Sequence, residues 1–182
     1  MKLSDRKVRL GVAWLLVLPF LWFARPTPTT LLAGGATALL GALIRGWAAG
    51  HIRKDSTLTV AGPYAHVRNP LYVGSFLMGL GVTIAGGVPL FVAIFLTFYL
   101  LVYTRTAMVE VKFLEERYGE DYRAYAAAVP LFLPRPLPWR PDGASPAPRF
   151  SLHRYRQNRE WEAGLGVTAG FLVLVAKMTL GG

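Results

Sequence analysis

The sequence predicts an all-α protein: a polytopic membrane helix bundle of about five transmembrane helices, forming a single membrane domain over residues 1–182. Hydrophobic residues make up 53% of the chain, and the mean hydropathy is +0.38. Charged residues make up only 16%, against roughly 25% in average soluble domains. Five apolar runs approach the length of about 20 residues that a helix needs to cross the hydrocarbon core of a bilayer.

The first predicted helix covers residues 10–24. It follows a basic amino-terminal segment, but Pro19 and Trp22 lie where a secretory signal would carry a small-residue cleavage site. We therefore expect this run to be a retained membrane helix. Pro26 and Pro28 form the turn to the next run.

The second predicted helix covers residues 29–49 and is rich in small residues. Its stretch from Gly35 to Ala42 offers a surface on which another helix can pack closely in lipid. Arg45 lies near the end of this helix, where a long basic side chain can extend its charged group to the membrane interface.

The third and fourth predicted helices cover residues 70–86 and 88–104. Their connection, Gly86-Gly87-Val88-Pro89, is short and rich in turn residues, so the two helices should form an antiparallel hairpin. The third helix has further close-packing positions at Gly74, Gly79 and Gly81. The fifth predicted helix covers residues 163–180.

Residues 105–128 are predicted to continue the fourth helix as a cytoplasmic amphipathic segment, with a break at Gly119. Residues 134–148 are rich in proline and predict an extended linker. The segment that follows, residues 149–162, either closes over a cytoplasmic site or anchors the last helix, and we favour the anchor.

The charges predict the orientation. The formal net charge is +10, which in a soluble protein would indicate nucleic-acid binding. Here the basic residues lie between apolar runs, so we expect the lipid bilayer, and no nucleic acid, as the partner. By the positive-inside rule, the amino terminus and the segments 50–69 and 105–136 are cytoplasmic, in a cell or inner membrane, and the carboxy terminus is outside. The chain has no cysteine, which excludes disulfides and thiolate metal sites, and we expect no bound metal.

Residues 62–74 are an unusual polar stretch between membrane-length apolar runs. Each residue has an ordinary interpretation: Asn69 caps the helix that Pro70 begins, Tyr72 is an interface aromatic, Tyr64 belongs to a turn, and His66 is a solvated loop histidine. Polar groups are costly in or near hydrocarbon, so the whole stretch also fits the mouth of a ligand site.

Two blocks of sequence carry a family resemblance. The first is Gly-Pro-Tyr-x-x-x-Arg-Asn-Pro-x-Tyr-x-Gly over residues 62–74. The second runs from Glu110 through Glu-Glu-Arg-Tyr-Gly-Glu-Asp-Tyr to Tyr125 and is followed by Val129-Pro130 and Leu133-Pro134. Together they resemble the isoprenylcysteine carboxyl methyltransferase and phospholipid methyltransferase group of integral membrane enzymes, over roughly residues 50–136.

The resemblance implies S-adenosyl-L-methionine as the cofactor. Glu110 would bind the cofactor's amine or ribose hydroxyls, tyrosines would contact the adenine and the sulfonium, and helix N–H groups near Asn69 would take its carboxylate. The implied cofactor-binding residues are Ser56, Thr57, Leu58, Thr59, Tyr64, Arg68, Asn69, Pro70, Leu71, Tyr72 and Glu110.

The chain departs from the family pattern at two positions. Val111 replaces the second glutamate of the usual pair. Where the prenylcysteine enzymes have a substrate-binding arginine, this chain has Thr106, with Arg105 beside it. Arg105 is the candidate substrate-orienting residue, although on a helix it is turned by about 140° from Glu110, and its alternative role is an interface anchor.

The predicted function is therefore methyl transfer to a lipophilic or amphiphilic acceptor, such as a prenylcysteine-like carboxylate, a lipid amine or a small thiol. One alternative is an NADPH-dependent reductase of the sterol-reductase type, which shares an Asn-Pro-x-Tyr-like element. The other is a non-enzymatic membrane scaffold. The block that begins at Glu110 favours the methyltransferase. The sequence specifies neither the acceptor nor the oligomeric state.

Overall fold

A computed structural model describes residues 16–52, 57–141 and 148–181. Within this part of the chain the regular structure is helical, which confirms the all-α prediction. The helices are α1 (described over residues 16–23), α2 (Pro28–Ala49), α3 (Pro70–Ala85), α4 (Pro89–Ala128), α5 (Leu152–Gln157) and α6 (Trp161–Leu180), with a 3₁₀ turn at Gly62–Ala65.

Three helices, α2, α4 and α6, are long and apolar enough to cross a membrane. The fourth apolar helix, α3, has 16 residues, a length of about 24 Å at 1.5 Å per residue, which is shorter than a typical span. The prediction of α3 as a full-length span is therefore corrected to a short apolar helix. Of the predicted first helix, only residues 16–23 fall in the described part of the chain.

Helices α2 and α3 pack antiparallel with their backbones in close contact. A methyl group on Gly34 would collide with the carbonyl of Gly81, and one on Gly41 would collide with the carbonyl of Gly74. Glycine is required at these positions because any side chain would separate the helices. The predicted surface beginning at Gly35 was wrong by one position, since Gly35 faces α6 instead.

Aromatic rings fill the contact between α3 and α4. Phe76 stacks on Phe95 with ring centroids 5.9 Å apart, and Tyr72 meets Tyr103 at 5.2 Å. The earlier residue on α3, Tyr72, meets the later residue on α4, Tyr103, and the order is reversed for Phe76 and Phe95, so the predicted antiparallel hairpin is confirmed. Gly87, with a φ of +72°, makes the turn between the two helices.

Helix α6 runs antiparallel to α2. At one end, Glu160 pairs with Arg45, and at the other end the Lys177 ammonium donates to the carbonyls of Leu21 and Trp22. The predicted extension of Arg45 to the interface was wrong. Its side chain turns inward instead because an acidic partner lies beside it.

The segments around the carboxy-terminal end of α4 follow the prediction closely. Helix α4 continues past residue 104 and changes direction at Gly119, whose φ is +51°. Beyond that point Tyr122 and Tyr125 pack with Val129 in a buried cluster.

The chain then runs beside the 3₁₀ turn and its following loop. Three backbone N–H groups fix it there: Arg68 donates to Pro130, Arg135 to His66 and Trp139 to Ala65. His66 is correspondingly not a solvated histidine, because its Nδ1 lies 2.9 Å from the carbonyl oxygen of Arg135.

Residues 149–162 dock on the end of α2. The Ser151 backbone and the Arg154 guanidinium both donate to the carbonyl of Gly50, and the Asn158 amide donates to that of Ala49 at 2.9 Å. These contacts satisfy carbonyls that the last turn of a helix leaves free, as expected of an anchor. Of the linker, residues 142–147 lie outside the described residues.

Candidate functional site

A cavity of about 270 Å³ lies at the end of the bundle where α2 ends and α3 begins. This volume is near the lower end of the range for small-molecule sites. We call it the polar cavity. It is lined by Ile52, Thr57, Leu58, Thr59, Tyr64, Arg68, Asn69, Pro70, Leu71, Tyr72, Glu110, Phe113, Leu114, Arg117, Tyr118 and Tyr125.

The structure brings the sequence-predicted cofactor residues together in this cavity. Every one of them within the described residues lines its wall, from Thr57 to Glu110. Ser56 lies outside the described residues. The candidate substrate-orienting Arg105 is exposed and is not part of this wall, and neither is Thr106.

Part of the wall was not predicted. Phe113, Leu114, Arg117 and Tyr118 follow Glu110 along α4 at helical spacing. The i, i+3, i+4, i+7 pattern that starts at Glu110 was the signal that could have identified them.

Two local features shape the cavity mouth. Gly62 has a φ of +62°, and a methyl group there would collide with the His51 ring, so glycine is required where the 3₁₀ turn approaches α2. Helix α3 begins at Pro70 as predicted, but the Asn69 side chain makes no capping hydrogen bond. The prediction of a side-chain cap at Asn69 was therefore wrong, and Asn69 lines the cavity instead.

Three buried polar atoms have no hydrogen-bond partner among the described residues: Tyr64 Oη, Arg68 Nε and Glu110 Oε2. All three atoms belong to residues that line the polar cavity. A buried polar atom without a partner costs about 1–3 kcal/mol, and more if it is charged. Such atoms are rare in folded proteins unless a ligand, ion or water completes them.

Burial raises the pKa of the Tyr64 phenol, and the nearby Tyr125 and Glu110 raise it further. Tyr64 is therefore a neutral hydroxyl at physiological pH and can donate a hydrogen bond. The Tyr72 hydroxyl lies beside the Glu110 carboxylate, which gives the carboxylate a neutral neighbour.

Hydrogen bonds hold the wall from behind. The Arg68 guanidinium donates to the Tyr122 hydroxyl at 3.2 Å, and the Tyr125 hydroxyl donates to the Tyr64 carbonyl at 2.7 Å. Val111 packs against the buried tyrosine cluster and is not part of the cavity wall. The valine that replaces the family's second glutamate thus supports the fold here.

These groups match the chemistry of S-adenosylmethionine. A carboxylate suits its ammonium and ribose hydroxyls, guanidinium groups suit its carboxylate, and aromatic rings suit its adenine and its sulfonium. Glu110, Arg68, Arg117 and the wall tyrosines supply these groups.

A second, apolar cavity adjoins the first. It has a volume of about 370 Å³ and lies between α3, α4 and residues 132–134. Tyr72 belongs to the walls of both cavities. The other wall residues of this apolar cavity are Val73, Phe76, Leu77, Tyr99, Leu100, Tyr103, Thr104, Phe132, Leu133 and Pro134.

Residues 36–121 match the model of the family described as Phospholipid methyltransferase. The match covers a little under half of the chain and includes every residue of the polar cavity wall except Tyr125. Neither the curated proteins nor the solved structures compared with the chain provide a match.

Methyl transfer is the activity of this family, so the match supports the methyltransferase over the reductase and the scaffold. The family's cofactor is the one that the polar cavity suits. The protein is therefore an S-adenosylmethionine-dependent methyltransferase with several membrane helices, and its residues 36–121 match the phospholipid methyltransferase family.

Proposed function

We propose that this enzyme binds its cofactor in the polar cavity and receives a lipophilic or amphiphilic methyl acceptor through the apolar cavity. The observation that carries the proposal is the convergence of three partnerless buried atoms, Tyr64 Oη, Arg68 Nε and Glu110 Oε2, on one cavity wall. An apolar cavity directly beside them supplies the place for the acceptor.

Within the polar cavity, each wall group has a role. Glu110 accepts hydrogen bonds from the cofactor's ammonium or ribose hydroxyls. Arg68 donates to its carboxylate, and Tyr64, as a neutral phenol, donates a further hydrogen bond. Thr57, Leu58 and Thr59 complete the wall.

When bound, S-adenosylmethionine supplies an electrophilic methyl group, whose S–C bond breaks with its electron pair on sulfur as the acceptor's lone pair forms the new bond. The chain's contribution is to align the two reactants and to exclude water. A carboxylate or thiolate acceptor needs no general base, whereas an ammonium acceptor must first lose a proton.

The apolar cavity favours a lipidic acceptor. Its walls are almost entirely aliphatic and aromatic, and most of their residues come from the apolar helix α3 and the apolar part of α4. Apolar chains of an acceptor can lie there while the reacting group reaches the polar cavity past Tyr72. Arg105 is exposed, so it gives no support for recognition of a prenylcysteine carboxylate.

The orientation proposed for the enzyme places the polar cavity and both basic segments in the cytoplasm, with the carboxy terminus outside. It rests on the distribution of lysine and arginine along the sequence. A reporter domain fused after Gly182 should be accessible only from the outer side. Cytoplasmic activity of that reporter would contradict the proposed orientation.

Glu110→Gln tests the cofactor site. The substitution keeps the shape of the side chain but removes a charge-assisted hydrogen bond, a loss of about 1.5–3 kcal/mol. The affinity for S-adenosylhomocysteine should fall roughly tenfold to a hundredfold. Isothermal titration calorimetry of the detergent-purified protein measures it.

Glu116→Gln is the matched control, because Glu116 is an exposed glutamate of the same helix outside the cavity wall. Its affinity should change by less than about twofold, as expected for a solvated charge. Equal affinities in the two variants would remove Glu110 from the site.

A further inference from the structure

Arg45 of α2 joins three helices at the end of the bundle that carries the polar cavity. Its Nε donates to Glu160 Oε2 at 2.8 Å, and its Nη2 donates to Glu160 Oε1 at 2.9 Å. Its Nη1 donates to the Ser75 hydroxyl and, at 3.4 Å, to the carbonyl of Leu71 on α3. A single guanidinium thus connects α2 to α3 and to the start of α6.

The pair is largely removed from water. The exposed fractions of the Arg45 and Glu160 side chains are 22% and 11%. An arginine without a partner at the end of a membrane helix would extend toward water. The two parallel bonds to Glu160 keep Arg45 turned inward, toward α3.

The first turn of α3 is the part of the cavity wall that Arg45 reaches. Asn69, Pro70, Leu71 and Tyr72 all line the polar cavity. The Leu71 carbonyl accepts from Arg45 and also from the Ser75 hydroxyl, which lies 2.8 Å away. Since the Asn69 side chain does not cap this helix, the turn is held by these bonds from behind.

We propose that Arg45 and Glu160 are positioning residues for the cofactor site, which hold the first turn of α3 in the geometry that binds the cofactor. Neither side chain is part of the polar cavity wall, and Glu160 lies outside residues 36–121. The inference rests on the proposed function, in which the polar cavity is the cofactor site.

The double variant Arg45→Met/Glu160→Met separates positioning from stability. Replacing both members of a buried ion pair by apolar residues often leaves stability unchanged or raises it. The melting temperature should therefore stay near that of the wild type. The affinity for S-adenosylhomocysteine should still fall about fivefold or more, because misplaced binding groups lose alignment.

A second readout needs no ligand. In the ligand-free double variant, amide hydrogen exchange in residues 70–76 should be faster, with no change at the other end of α3. Arg123→Met is the matched control, since it removes an exposed arginine that pairs with Glu115 and Glu120 away from the cavity wall. It should leave both affinity and exchange unchanged.

Wild-type affinity and exchange in a folded double variant would overturn the inference. If that variant does not fold, Ser75→Ala decides the matter, because it removes only an uncharged group between Arg45 and Leu71. It should weaken S-adenosylhomocysteine binding about twofold to threefold, because the first turn of α3 loses only part of its connection to Arg45; wild-type affinity would again overturn the inference. If Glu110→Gln also binds normally, the proposed cofactor site itself is wrong.

Discussion

The two faces of α3 differ in how they meet their neighbours. Toward α2, Gly74 and Gly81 bring backbone against backbone, with no room for a methyl group. Toward α4, Phe76, Tyr72 and the rings opposite them keep the helices apart and leave a cavity of about 370 Å³.

This difference divides the bundle into a fixed part and an adaptable part. Close backbone packing admits one arrangement, because any displacement creates collisions or voids. Aromatic rings around a cavity can change rotamer and admit a flexible chain. Helices α2 and α3 therefore form one fixed unit, and the route proposed for the acceptor lies on the α4 side.

The largest expected effect comes from breaking the fixed part. Gly41→Leu would drive a side chain into the Gly74 carbonyl and the backbone of Met78, which cannot move away. Overpacking of this kind should cost at least about 3 kcal/mol. Size-exclusion chromatography and a thermal unfolding measurement should both show little or no folded protein.

Gly166→Leu is the control for that experiment, because nothing lies within 4 Å of the position that its Cβ would occupy. It should fold like the wild type. A folded Gly41→Leu protein with an unchanged melting temperature would contradict the account of α2 and α3 as a fixed unit.

A smaller effect is expected from filling the adaptable part. Val73→Trp would occupy the apolar cavity, whose wall includes Val73, and Val73 itself is not part of the polar cavity wall. The KM for a dispersed total lipid extract, with radiolabelled S-adenosylmethionine as donor, should rise about tenfold, equivalent to about 1.4 kcal/mol. The affinity for S-adenosylhomocysteine should stay within about twofold.

Leu39→Trp, at an exposed apolar position on α2, controls for the added bulk and should leave the KM unchanged. A Val73→Trp enzyme with a normal KM for lipid would show that the acceptor reaches the cofactor by another route.

The smallest effect tests whether the polar cavity serves binding rather than folding. Tyr64→Phe removes a buried hydroxyl that has no partner among the described residues, so stability should be unchanged or slightly higher. The affinity for S-adenosylhomocysteine should fall about twofold to tenfold, the value of one neutral hydrogen bond.

Tyr125→Phe should have a different effect on stability, which it should lower. Its hydroxyl donates to the Tyr64 carbonyl, and its removal leaves that buried carbonyl without this bond, at a cost of about 1–3 kcal/mol of stability. Chemical denaturation and calorimetric titration of both variants measure the two effects. A loss of stability in Tyr64→Phe would show that its hydroxyl is used by the fold.

Much of this architecture could be predicted from the sequence. Hydropathy identified the apolar helices, and the break at Gly119 and the Gly86-Gly87 turn were recognisable from their glycines, since Gly119 and Gly87 adopt positive φ values that favour glycine. Most of the polar cavity wall was predicted through the family resemblance that residues 62–74 and Glu110 carry. The helices and turns depend on local sequence, so a single sequence contains the signals for them.

The features that could not be predicted depend on partners distant in sequence. Arg45 turns inward because Glu160, 115 residues later, lies beside it. His66 is held by the Arg135 carbonyl, and Gly34 rather than Gly35 faces α3 because of the rotation of the packed helix. The hydrophobic pattern of one segment does not show which residue from a distant segment will contact it.

The contact between α1 and α6 has a consequence for biosynthesis. Lys177 donates to the carbonyl of Leu21, a residue that precedes it by 156 positions, and Ala24, Ala85 and Leu174 share one buried cluster. A chain emerging from the ribosome makes α1 first and α6 last among the described helices. Until Lys177 has been translated, the end of α1 lacks this cap, and lipid or the insertion machinery must cover the surface that Leu174 later occupies.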